Sequence, residues 1–202
     1  MIVLWILLSI LLGFLYTELV GYFVHQLLHS EKVPYLSRSH MIHHLRHYGP
    51  KMSMRSDDYL KPEGKASIGT IGLEWLVPIA GVALPSIAVP LLLGIPLLYV
   101  VIWLGAAIVW GVMGFSIMHD AMHLRGFWML RSKIFGRWFR RIRRLHDIHH
   151  VNINPQGRMQ MNFGMCFFWF DKLFGTYAPR IEHFNEKGYE EAKKKYAYIW
   201  EE

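Results

Sequence analysis

Two long stretches of this chain carry almost no charge, and they limit its fold more than any other feature. Ile2–Val24 contains one charged residue, Glu18, and Ile71–Met118 contains one, Glu74. A bilayer crossing takes about 20 predominantly apolar residues, so the first stretch supplies one span and the second supplies two. Pro78, Pro85, Pro90 and Pro96 punctuate the second, and Leu91–Pro96 reads as a tight turn between spans. A cleavable signal peptide is the competing account of the first stretch. No basic residues precede it and no small-residue cleavage site separates it from His25, so a retained span is expected.

The 22 Lys and Arg outnumber the 15 Asp and Glu, giving a net charge of +7. Such a balance could point to nucleic acid, but its placement points to a membrane. Seven of the cations lie in 31–65 and fifteen in 119–202; none lies in 1–30 or 66–118. By the positive-inside bias both basic segments are cytoplasmic. The expected fold is therefore all-α and integral to the membrane, one domain over 1–202. About three transmembrane helices fall near 2–28, 71–92 and 97–123, with a cytoplasmic helical cap over 31–65 and 124–178 and a charged tail over 179–202. The single cysteine, Cys166, excludes an intramolecular disulfide and a zinc site built on several cysteines.

Ten of the twelve histidines fall into four clusters: His25 and His29; His40, His43 and His44; His119 and His123; His146, His149 and His150. Two have the form HxxxH and two HxxHH. Helical positions i, i+3 and i+4 share a face, and imidazole is the commonest protein ligand for zinc- and iron-type metals. Four such faces could enclose more than one ion, and all four are expected on the cytoplasmic side of the spans. Ser39 would cap a short helix beginning at His40, with His47 on the same stripe. Ser132–His150 reads as an amphipathic helix, with Ile134, Phe135, Trp138, Phe139, Ile142 and Leu145 opposite Arg137, Arg140, Arg141, Arg143 and Arg144. Such a helix would lie in the headgroup plane. His183 is expected to be solvated. Glu18, two turns before His25, would either orient a ligand imidazole or make an interhelical hydrogen bond. Asp120 and Asp147 point off the ligand faces, as groups behind the ligands or on the surface. The order HxxxH, HxxHH, HxxxH, HxxHH hints at a two-fold arrangement.

These clusters resemble those of the fatty acid hydroxylase/sterol desaturase superfamily. Asn162-Phe163-Gly164 is similar to the Asn-aromatic-Gly step that follows the family's final cluster. Asp171-Lys172-Leu173-Phe174-Gly175-Thr176-Tyr177 is similar to its closing segment, with Phe170 where a Trp is usual. The resemblance covers roughly residues 15–178. The chain is also similar to bacterial carotenoid ring hydroxylases, which typically have one more residue between the paired histidines of the third cluster. The His119-xxx-His123 spacing and the closing segment favour the fatty acid/sterol branch.

The resemblance implies an oxygen-dependent hydroxylase or desaturase with a dinuclear centre of two iron ions and dioxygen as cosubstrate. Ten imidazoles shared by two ions give about five each, whereas a structural zinc site closes at four. A membrane lipid would enter from the bilayer. With no GxGxxG, CxxC pair or haem-binding domain in the chain, a separate ferredoxin- or cytochrome-type electron donor is expected. Zinc could occupy the site in isolated protein, and a zinc-bound hydrolase or isomerase is one rival. A metal transporter is another, but it would need an ionisable path across the membrane, and the spans offer Glu18 and Glu74. A non-catalytic adaptor leaves the histidines without a purpose.

Overall fold

The computed structural model describes residues 1–61, 76–181 and 183–201, and among these it is helical, with two isolated bridges and no strand. Helix α1, Ile2–Leu28, is 27 residues long, and its most apolar 18 residues have a mean hydropathy of 2.2. At 1.5 Å per residue it is about 40 Å long, more than the hydrocarbon thickness of a bilayer. The chain then turns into α2, Pro34–Ile42, which runs on through a π-helical turn, His43–His47. Helix α3 is Leu76–Leu92 and α4 is Leu97–Gly111. A π-helical stretch, Val112–Met118, joins α4 to α5, His119–His123, so that Leu97–His123 is a second continuous apolar helix of 27 residues. A short 3-10 turn at Trp128–Arg131 leads into α6, Gly136–Val151; α7 is Trp169–Phe174 and α8 is Glu186–Lys195.

Among the described residues two helices are thus long and apolar enough to cross a membrane, α1 and Leu97–His123. Where a third span was expected, α3 supplies a shorter apolar helix, and residues 71–75 of that expectation lie outside the described residues. The turn expected at Leu91–Pro96 is present. Gly94, at φ 76°, donates to Leu91 O, and Ile95 donates to Pro90 O at 2.9 Å. This pair of bonds caps α3 in the way glycine allows, because its left-handed conformation costs little there.

The apolar side chains of α1 mostly point outward, and its buried residues are Ser9, Gly13, Glu18, Tyr22 and His25. That polarity is the reverse of a soluble core helix and suits lipid contact on the outer face. α1 packs along α4, with Thr17 Oγ1 donating to Ala107 O at 2.9 Å, and the Tyr16 hydroxyl meets Ser86 Oγ on α3.

Among the described residues there are two apolar cores. One joins Met118, Met122, Phe139, Ile142, Leu145 and Phe168. The other joins Met41, Ile42 and Leu45 to Tyr189, Ala192, Tyr196 and Ile199. Three expectations change here. α2 begins at Pro34, whose fixed φ suits a first turn, so Ser39 is interior and caps nothing. The apolar face of α6 is covered by protein, with Phe139, Ile142 and Leu145 buried, while Ile134 and Phe135 stand exposed ahead of the helix. The charged tail folds back as α8, because its apolar residues at 189, 192, 196 and 199 line up on one side against α2.

Candidate metal centre

Every residue of the four histidine clusters except the half-buried His40 is buried. Nine of the ten fall into two groups, in each of which one ring nitrogen per residue lies within 4.8 Å of all the others. The first group is His25, His29, His40, His44 and His149; the second is His43, His123, His146 and His150. His119 stands beside the second, its ring centroid 4.7 Å from His43 and 4.9 Å from His146, with Nε2 buried and without a hydrogen-bond partner.

The HxxHH clusters do not each face one way; they divide. His40 and His44 join the first group while His43 joins the second; His146 and His150 join the second while His149 joins the first. Helix geometry accounts for this on α6. At about 100° per residue, positions i and i+4 stand about 40° apart, whereas i+3 and i+4 stand about 100° apart and can address two centres. With His119 counted, each group holds an HxxxH pair, the i and i+4 residues of one HxxHH cluster and the middle residue of the other. The two-fold hint in the sequence has this exchange as its physical form. His47 and His183 belong to neither group: the π turn carries hydrogen bonds to the fifth residue, such as Tyr48 N to His43 O, and rotates His47 off the stripe, and His183 is exposed.

Main-chain carbonyls set the rings. Nδ1 of His25 donates to Phe163 O at 2.6 Å, that of His149 to Met161 O at 2.6 Å, that of His150 to Tyr48 O at 2.9 Å and that of His123 to Met54 O at 3.2 Å. A carbonyl only accepts, so the proton of each ring sits on Nδ1 and Nε2 is left with a free lone pair. These lone pairs converge. His146 Nε2 lies 3.0 Å from His123 Nε2 and 3.1 Å from His150 Nε2, and His29 Nε2 lies 3.0 Å from both His40 Nε2 and His149 Nε2. His146 can give a proton to at most one of its two neighbours. Two ligands at right angles on a metal–nitrogen bond of 2.0–2.1 Å stand about 2.9 Å apart, so the observed spacing is that of nitrogens sharing an ion.

The protonation state agrees. Burial, reinforced by neighbouring imidazoles, holds His29, His40, His43, His44 and His146 well below the usual histidine range; burial does the same for His149 and His150 against one carbonyl bond each. Neutral imidazole is the form that binds metal. Further ring nitrogens, Nε2 of His25, His43 and His44 among them, are buried without a partner, an arrangement that costs free energy unless something binds them. The donor set fits transition-metal ions: imidazole suits iron, zinc and copper.

The strap after α6 explains the two motifs that follow the last cluster. Asp171 on α7 accepts from Phe163 N at 2.7 Å, Gly164 N at 2.8 Å and Thr176 Oγ1 at 2.9 Å. Asn162, at φ 57°, donates to Leu145 O and Ala178 O and accepts from Ala178 N. Together they hold Phe163 O against His25.

The three carboxylates singled out in the sequence take different places. Asp120 Oδ1 lies 3.1 Å from His119 Nδ1. Asp147 pairs with Arg55 at 2.6 Å and makes no hydrogen bond to a histidine. Glu18 accepts from Trp110 Nε1 at 2.7 Å, the interhelical alternative, and Phe163 O rather than Glu18 orients His25. Sequence reasoning missed Tyr48, whose ring stacks on His123 at 3.9 Å and whose carbonyl holds His150, and Tyr59, 3.4 Å from His43 Nδ1. Pro50 and the polar residues after it mark a loop there, with no spacing that singles out either tyrosine.

A family model described as Fatty acid hydroxylase matches residues 10–176 of the chain. Comparisons with curated proteins and with solved structures gave no match. The two apolar helices and this family together indicate a membrane protein.

Proposed function

This chain belongs to the fatty acid hydroxylase family, and from that premise we propose that it hydroxylates or desaturates a membrane lipid with dioxygen, at two iron ions held by its histidines. The observation that carries the proposal is the convergence of buried, neutral imidazoles into two groups. His25, His29, His40, His44 and His149 would hold one ion, and His43, His119, His123, His146 and His150 the other. The chemistry that two bound irons supply is the reduction of dioxygen to an oxidant able to attack an unactivated C–H bond. The chain's own residues do the rest. Main-chain carbonyls fix the rings of His25, His123, His149 and His150 with Nε2 inward, the apolar cores keep water from the ligands, and α1 with Leu97–His123 brings the site next to hydrocarbon, so that the substrate arrives from the bilayer.

The cytoplasmic orientation of the site and C-terminus is part of the same proposal, supported by the basic segments. So is a separate electron donor of ferredoxin or cytochrome type. Arg137, Arg141 and Arg144 form a stripe on the exposed side of α6, and among the described residues no carboxylate pairs with them. The same helix carries His146, His149 and His150 on its inner side. An acidic donor on that stripe would stand about one helix diameter, 10–12 Å, from the ligands.

The test is metal content per chain after gentle extraction in detergent, with an iron oxidation-state probe on the same sample. About two irons, both diminished by His149→Ala, are expected, together with a lipid product in cells expressing the wild type and none with the variant. One zinc or none would remove the dinuclear oxygenase. Two zincs would send the protein to iron reconstitution, and no product after it would overturn the proposal.

A further inference from the structure

Tyr59 lies outside every helix, on the stretch that follows the π turn, yet its hydroxyl reaches two of the histidine clusters. The oxygen is 3.4 Å from His43 Nδ1, and the hydroxyl stands close enough to the Asp120 carboxylate to interact with it. Asp120 Oδ1 in turn lies 3.1 Å from His119 Nδ1. The directions of these bonds follow from their chemistry. A carboxylate accepts, so Tyr59 donates its proton to Asp120 and its oxygen is left to accept from His43 Nδ1–H. His119 Nδ1–H donates to the same carboxylate. Both rings therefore carry their proton on Nδ1 and leave Nε2 bare, and both Nε2 atoms are buried without a partner. The two rings come from different clusters, on α2's extension and on α5, and their centroids are 4.7 Å apart.

We propose that Tyr59 and Asp120 are positioning residues of the second metal group: the chain His43–Tyr59–Asp120–His119 aims two imidazoles from separate clusters at one ion and makes His119 its fifth ligand. This rests on the reading of the site as a two-ion centre and adds to it. Among the described residues the first group has no counterpart to this relay, and its Nδ1 bonds end on the carbonyls of Phe163 and Met161. Loss of the Tyr59 hydroxyl should therefore loosen one ion and spare the other. Partners behind a ligand imidazole typically contribute 10–100-fold in metal affinity.

The experiment uses the full chain in detergent, loaded anaerobically with ferrous iron. Iron per chain, the kinetics of iron release to a ferrous chelator, and the melting midpoint of the ion-free protein are measured for wild type, Tyr59→Phe, Asp120→Asn and the double variant. Wild type should hold two irons. In Tyr59→Phe one of the two should leave at least tenfold faster, with the other at the wild-type rate and the ion-free midpoint unmoved. Asp120→Asn should act on the same ion, and the double variant should be no worse than the more severe single one, as expected for residues acting as one unit. Unchanged release of both ions in Tyr59→Phe would overturn the relay. So would equal acceleration of both with a lowered midpoint, which is the mark of a general structural role. A wild type that binds no pair of irons would instead sink the two-ion reading, a result seen before any variant is compared.

Discussion

Asp171 makes no hydrogen bond to any of the ten histidines, yet it holds in place the carbonyl that His25 bonds. Its carboxylate collects two backbone N–H groups and the Thr176 hydroxyl, and so presents Phe163 O to the ring. Asp171→Ala would orphan three donors in a buried strap, at a cost of about 3 kcal/mol or more. A lowered melting midpoint and early loss of any metal bound by the His25 group are expected, both readable in a thermal melt followed by metal analysis. The histidines make a second prediction. Their depressed affinities for protons mean that the ion-free native state stays neutral where an unfolded chain would protonate, near pH 6.5. The unfolded state then binds more protons, so stability is fully present above that pH and falls with acid, by up to about 1.4 kcal/mol per pH unit per histidine. Melts of metal-free protein at pH 7.5 and 5.5 should separate clearly, and equal midpoints would contradict the burial. At this scale the histidines of the two groups were legible as candidate ligands because chemistry and spacing both show in side-chain letters. Their carbonyl partners were not, since every residue has a carbonyl and only the fold selects Phe163, Met161, Tyr48 and Met54.

Between elements, the seam of α1 with α4 rests on small side chains four residues apart. Ser9, Gly13, Thr17 and Gly21 succeed one another along one side of α1. A Cβ on Gly13 would stand 2.3 Å from Trp103 O, and one on Gly21 would stand 1.9 Å from the Phe115 ring. Helices in lipid gain contact by such close approach. Gly13→Ala should therefore cost about 1–3 kcal/mol, while Gly105→Ala, whose Cβ would meet nothing within 4 Å, should be neutral. The midpoints of the two variants in detergent check the contrast. Hydropathy located α1, α4 and the turn at Gly94 because each is written in runs of apolar residues or in Pro and Gly. The π-helical turns at His43–His47 and Val112–Met118 left no such trace. Their hydrogen bonds run to the fifth residue, as from Tyr48 N to His43 O, a register that no pattern of apolar letters encodes.

For the molecule as a whole, α8 and the turn after it lie beyond residues 10–176, yet they wall the back of the site. Tyr196 donates to His29 O at 2.6 Å, Arg46 to Ile199 O at 3.1 Å, and Ala192 and Ile199 are fully buried against α2. Truncation before Glu186 should uncover Met41, Ile42 and Leu45, make α2 sensitive to proteolysis and weaken retention of metal by the His25 group. Limited digestion with metal analysis tests it. Abundant Lys and Glu made this region look solvated, although Tyr189, Ala192, Tyr196 and Ile199 already recur at helical intervals. The exchange of His43 and His149 between the two groups also has a consequence in time. The chain leaves the ribosome from its N-terminus, so α1 and α2 emerge about 100 residues before His149, several seconds at 5–20 residues per second. Until α6 arrives, the first centre lacks its fifth imidazole and the second has little besides His43, His119 and His123. Docking of that one helix finishes both histidine groups, so that on the proposed two-ion reading metallation of the pair would be a single late event in biogenesis.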